Sequence, residues 1–220
     1  MLLGWQRRTL GAQRPQGLGD VHPGVRRGDD GVDVPALGGD VGVGQGVLVL
    51  LDERGARLLD RLPALGGGRQ RFLPASAAGS ANPRNWRQDG RDLTSEWRQR
   101  SPRHVYVQNR TELAAAPPDA HVLGLLAIDH MAFEHDRDPA IEPSLAEMTA
   151  IAIRRLQNEP NGYVLLIEGG RIDHAHHAGL ARHALNETVA YDTAIRTALE
   201  LTSRDDTLIG VLGHELGHVR

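Results

Sequence analysis

The sequence predicts an α/β fold in which a sheet is layered between helices, and three observations carry that expectation. An apolar run, Tyr163-Val164-Leu165-Leu166-Ile167, is opened by Asn161-Gly162 and closed by Gly169-Gly170. Its length and its β-branched and aromatic content suit a strand buried on both faces. Apolar residues recur at three- and four-residue steps on either side of it, at Leu145, Met148, Ile151, Ala152 and Leu156 before and at Leu185, Val189, Ile195 and Leu199 after. Shorter β-type runs at residues 105–107, 121–128 and 207–212 alternate with helical stretches, the pattern of a doubly wound sheet whose parallel strands present ligands at one edge.

Residues 1–50 stand apart. Glycine recurs at roughly every fourth position with little helical or strand periodicity. The expectation is a Gly-rich extension or a segment outside the authentic frame, followed by a partial domain over residues 51–220. Residues 54–65 are amphipathic and lead into Gly66-Gly67-Gly68-Arg69, a turn after a strand. No Gly-Lys-Ser/Thr follows, so the triple glycine is structural rather than a phosphate loop. Residues 75–91 read as a polar loop closed by Gln88-Asp89-Gly90, and a short helix runs from Asp92 to about Arg100 with Leu93 and Trp97 on one face. A helical stretch over 111–116 is stopped by Pro117-Pro118. Residues 129–142 are charged and irregular. Pro143 marks a helix start, that helix reaches Asn158, and a second spans about 179–199 with Leu185, Val189, Ile195 and Leu199 turned inward.

Composition limits the function classes. A chain of 220 residues with 40% hydrophobic content builds one sizeable core. A net charge of −3 gives no electrostatic reason to expect nucleic acid or an anionic membrane as partner. The absence of cysteine excludes disulfides and thiolate zinc sites, leaving histidines and carboxylates as metal ligands. The first eight residues lack the apolar core of a signal peptide, and no run approaches the roughly 20 apolar residues of a membrane span. The compartment stays open.

Chemistry concentrates after the apolar run. Glu168 ends the predicted strand, where open α/β sheets gather ligands, and the two glycines would let the backbone approach a bound ion closely. Asp173 and His177 are four residues apart, so a helical turn sets a carboxylate and an imidazole on one face, within reach of one zinc ion at about 2.0–2.2 Å. Glu168 offers only oxygen and suits magnesium. His174 and His176 lie beside them. A second constellation, His214-Glu215-Leu216-Gly217-His218, fits the H-E-x-x-H zinc-peptidase pattern. It follows a strand-like run, contains a helix-weakening glycine and leaves two residues to supply a third ligand.

The stretch Glu168-Gly169-Gly170-Arg171-Ile172-Asp173-His174-Ala175-His176-His177 resembles the metal-binding signature of the alkaline phosphatases. Further segments are similar to that family: Gly66-Gly67-Gly68-Arg69, Asp89-Gly90-Arg91-Asp92-Leu93, Tyr106-Val107-Gln108-Asn109-Arg110-Thr111-Glu112-Leu113 and Glu142-Pro143-Ser144-Leu145 upstream, and the residues from His183 to Asp192 downstream. The resemblance covers about residues 60–208 and implies an alkaline-phosphatase-like sheet, here incomplete. It also implies hydrolysis of phosphate monoesters with zinc and magnesium, and a homodimer. Glu168 then resembles a magnesium ligand, Asp173 and His177 two ligands of one zinc, and His174 and His176 orienting groups.

The family's serine nucleophile follows an aspartate, and none of Ser76, Ser80, Ser95, Ser101, Ser144 or Ser203 does. Where the family continues with Thr-Ala-Asp-His-Ser-His, this chain has Leu212-Gly213-His214-Glu215. Ala127 stands where some members place an acidic calcium ligand. The expectation is therefore a family fragment without turnover of its own. The alternatives are a zinc-binding relic without catalysis and, through Glu215, a zinc peptidase.

Overall fold

The structure, a computed structural model, describes residues 2–6, 46–50, 63–77, 86–160 and 162–213. Its strands are β1 (Leu2–Gln6), β2 (Gly46–Leu50), β3 (Ala64–Gly66), β4 (His104–Val107), β5 (His121–Leu125), β6 (Tyr163–Glu168) and β7 (Thr207–Val211). The helices are α1 (Leu93–Gln99), α2 (Arg110–Ala115), α3 (Leu145–Leu156), α4 (Arg171–His177) and α5 (Ala181–Leu201). The fold is α/β, a sheet with packed helices, and the strand order is β4-β5-β3-β2-β6-β1-β7.

β3 and β4 both pair parallel with β5. β2 lies antiparallel between β3 and β6, with Leu48 opposite Ala64 and Leu166. β1 lies antiparallel between β6 and β7, with Gly4 opposite Leu165 and Ile209. Strands β3 to β7 therefore run in one direction and end at one edge, where Glu168 stands. The parallel strands expected from the alternation of elements are present, and the antiparallel β1 and β2 inserted among them make the sheet mixed. The two reversed strands fall within residues 1–50, a segment without strand periodicity in its sequence. Short strands join a sheet through backbone hydrogen bonds, which a side-chain pattern does not record. Residues 54–62 of the amphipathic stretch lie outside the described residues.

Local chemistry explains the helices. Asp92 caps α1 by accepting from the amides of Thr94 and Ser95, each at 3.0 Å. Burial alone would raise the Asp92 carboxyl, but these bonds and the two hydroxyls outweigh it and hold it below its ordinary range. Trp97 Nε1 donates to the Val105 carbonyl at 3.0 Å and ties α1 to β4. Ser144 and Glu147 form a reciprocal capping box on α3, so the cap is Ser144 rather than Pro143. The buried face of α3 is Leu145, Met148, Thr149, Ala152, Ile153 and Leu156, with Ile151 only half-buried.

Two burial expectations are corrected. In β6, Tyr163, Leu165 and Ile167 are buried while Val164 and Leu166 are intermediate, so the strand has one core face and one half-covered face. In α5 the inward residues are Ala184, Glu187, Ala194 and Ala198, whereas Leu185, Val189 and Leu199 are 70%, 64% and 42% exposed. Ile195 is half-buried against the core. The reason is close packing: α5 lies against both α3 and α4, and near approach of helices selects side chains of alanine size over leucine.

The segment after β5 is tied to the turn after β3. Arg69 N donates to the Ala127 carbonyl at 3.1 Å and Gln70 N to that of Ile128 at 2.9 Å. Gly68 N donates to the Asp129 carbonyl, and a Cβ at Gly67 would overlap that same oxygen. Gly67→Ala is accordingly expected to destabilise the chain by about 1–3 kcal/mol in urea unfolding, because backbone rather than a flexible side chain must move.

Tyr163 packs beside a small apolar void of about 10 Å³ lined by residues such as Ile153, Ala198 and Ile209. Its hydroxyl is buried without a hydrogen bond, and burial pushes the phenol up to about 12. A folded-state value above the unfolded value of about 10 means that its contribution is intact below pH 10 and is lost as pH rises toward 12. Tyr163→Phe should leave stability near pH 7 unchanged or higher and flatten the decline in urea midpoint between about pH 9 and 11. An unchanged alkaline slope would contradict the assignment.

Candidate metal centre

Glu168 is the last residue of β6 and is exposed at the sheet edge. Of the two glycines after it, Gly169 is required by packing. A Cβ at Gly169 would stand 3.1 Å from the Tyr191 ring of α5, and Gly170 has an ordinary helical φ of −64°. Helix α4 starts at once, with Ile172 N donating to the Gly169 carbonyl at 3.2 Å, and Ala175 is its one fully buried residue. Gly179, at φ +67°, ends the helix in the left-handed region while Leu180 N returns to the Ala175 carbonyl at 2.8 Å.

This short helix brings Asp173 and His177 together as their spacing predicts. His177 Nε2 lies 3.2 Å from Asp173 Oδ1, an oxygen that is buried without hydrogen-bond geometry to any group among the described residues. The side chains are 26% exposed for Asp173 and 64% for His177, so one is anchored and the other reaches solvent. A carboxylate oxygen with an unused lone pair facing an imidazole nitrogen is a cation-seeking arrangement.

The other predicted residues are not drawn into that pair. His174 turns its Nδ1 toward Arg171 Nη1 at 3.1 Å, and its ring lies 4.3 Å from that of His130. A guanidinium only donates, so Nδ1 accepts and the neutral ring carries its proton on Nε2. Burial first, then the neighbouring His130 and Arg171, hold His174 below the ordinary histidine range. His176 is exposed. Among the described residues no three His, Cys, Asp or Glu side chains stand together as a metal set, so Glu168 is not assembled with Asp173 and His177. His214, Glu215 and His218 lie outside the described residues.

Several groups around α4 escaped sequence reasoning. The Arg171 guanidinium lies 3.6 Å above the Phe133 ring centroid. Glu187, 1% exposed, accepts a hydrogen bond from the Glu134 amide at 2.5 Å, and burial raises its carboxyl. His183 Nε2 meets Asp136 Oδ2 at 3.0 Å. The available signal was Glu187 itself, a charge on the same helical stripe as Ala184, Ala194 and Ala198.

The sequence profile described as alkaline phosphatase matches residues 58–215. The chain belongs to the alkaline phosphatase family. It is 44% identical over 154 residues to the rat tissue-nonspecific alkaline phosphatase, covering 66% of this chain and 29% of that protein. It is 40% identical over 153 residues to the silkworm (Bombyx mori) membrane-bound alkaline phosphatase, covering 66% of this chain and 28% of the relative. The chicken tissue-nonspecific enzyme matches at 42% over 166 residues, 69% and 32% of the two chains. The chain thus spans about 30% of the length of these phosphomonoesterases. The family typically depends on zinc and magnesium.

Proposed function

We propose that this chain carries one part of a metal-dependent phosphomonoesterase site, with Asp173 and His177 as ligands of one zinc ion and Glu168 as an oxygen ligand for magnesium. The observation that carries the reading is the 3.2 Å approach of His177 Nε2 to the otherwise unbonded Asp173 Oδ1, on a helix that starts at the edge where the co-directional strands end. The donor set fits zinc in kind, one carboxylate and one imidazole, and is incomplete in number for a four-coordinate ion. For magnesium the fit rests on Glu168 alone. Bound zinc supplies Lewis acidity toward a phosphoryl oxygen and lowers the pKa of an attacking oxygen.

The chain's own residues do the holding. Asp173 is partly buried, His177 lies against it from the solvent side, and His174 has its Nδ1 occupied by Arg171 and acts as an orienting group. Phosphate monoesters as substrate, and a homodimer, are proposed from family membership alone. No serine in these 220 residues follows an aspartate, so the nucleophile of the family has no counterpart here, and the chain by itself binds metal without turnover.

Competition against a chromophoric chelator should show zinc bound by the purified chain and lost in both Asp173→Ala and His177→Ala. Hydrolysis of p-nitrophenyl phosphate should stay at the buffer rate in all three proteins. Zinc uptake that survives Asp173→Ala and disappears in Glu215→Ala together with peptidase activity would instead assign the metal to His214 and His218.

A further inference from the structure

We infer that Glu187 is a positioning residue for helix α4, acting through the loop that follows β5; its functional meaning rests on the proposed zinc ligation, but its contacts stand apart from the ligands. The contacts form one continuous path. Glu187, buried in the middle of α5, takes the Glu134 amide at 2.5 Å. The adjoining Phe133 lies with its ring 3.6 Å beneath the Arg171 guanidinium and 4.8 Å from the His183 ring of the same α5 helix. Arg171 opens α4 and donates to His174 Nδ1 at 3.1 Å, two residues from Asp173 on one side and beside it on the other.

Each link answers a physical need. Arg171 is half-buried, burial lowers its pKa, and its Nε has no hydrogen-bond partner among the described residues. A partly desolvated guanidinium is attracted to an aromatic face, and that face must be held in place. The loop's own bonds, Arg137 on Glu134 at 2.7 Å and on the Glu142 carbonyl at 2.9 Å, stiffen it internally without attaching it to α5. The hydrogen bond that attaches it comes from Glu187 to Glu134, beside the ring contacts of Phe133 and His135 with His183 and the His183 to Asp136 pair, whose Asp136 is 54% exposed and which is therefore weak. An alanine would suit the stripe on which Glu187 sits, and a buried carboxylate costs stability unless it is hydrogen-bonded. Its placement against a loop amide is what distinguishes it from a packing residue.

The variants separate acceptor from bulk. Glu187→Ala removes the acceptor and strands the Glu134 amide; Glu187→Gln keeps an amide oxygen at the same reach without the charge. Phe133→Leu breaks the path at the next link and leaves the buried carboxyl untouched. Hydrogen exchange of the zinc-free chain should rise about tenfold at Glu134 and across Arg171–His177 in Glu187→Ala, with Leu145–Leu156 unchanged. Zinc affinity should fall by roughly tenfold or more in the same variant. Glu187→Gln should restore both, and Phe133→Leu should reproduce the faster exchange in α4. Unchanged exchange in α4, a Gln variant that behaves like Ala, or uniform acceleration that includes Leu145–Leu156 would overturn the inference. If the α4 pattern appears as expected but the wild-type chain takes up no zinc, the positioning role is upheld and the metal assignment fails.

Discussion

The close packing of α5 against α3 and α4 is the contact on which the rest of the described structure depends. Ala184, Ala194 and Ala198 let the helix come near, and that nearness places Tyr191 against Gly169 at the end of β6. Gly169 then fixes where α4 begins, so a packing decision made along one helix determines where Asp173 and His177 emerge. A larger side chain at any of these alanines, or a Cβ at Gly169, would push α4 away from the sheet edge. The fold and the candidate centre are in this sense one construction.

What was legible in the sequence was local. The 163–168 strand announced itself through an unbroken apolar run between glycines. The 145–156 helix did so through large residues at helical spacing, although the sequence points to Pro143 as its start and the Ser144/Glu147 box is what caps it. The Asp173 and His177 pairing needed only a four-residue step on one helix. What was illegible is equally specific. Leu185, Val189 and Leu199 gave α5 a convincing apolar stripe, yet the buried stripe is the one built from alanine and Glu187, because helix approach rewards small volume over hydrophobicity. The bond from Glu134 to Glu187 joins residues 53 apart, a distance over which no pattern in the sequence speaks. Glu168 was legible as a strand end, but whether other ligands converge on it depends on elements remote in the chain.

The electrostatics of the α4 neighbourhood divide the histidines by role. His177 reaches solvent beside the Asp173 carboxylate. His174 is half-buried between His130 and Arg171, both of which disfavour its protonation, and its Nδ1 is spoken for. On the proposed zinc reading, an imidazole oriented in this way beside the Asp173 carboxylate serves as a support group rather than a ligand. This division fits the proposed reading of the chain as one part of a phosphatase centre.

The central claim is that the cation site of this chain lies between Asp173 and His177. Anomalous diffraction at the zinc absorption edge, from crystals of the zinc-loaded chain, tests it without reference to activity. The account predicts a peak within coordination distance of Asp173 Oδ1 and His177 Nε2, with His174 still bonded to Arg171. A peak elsewhere, with those two side chains remaining in direct contact, would contradict it.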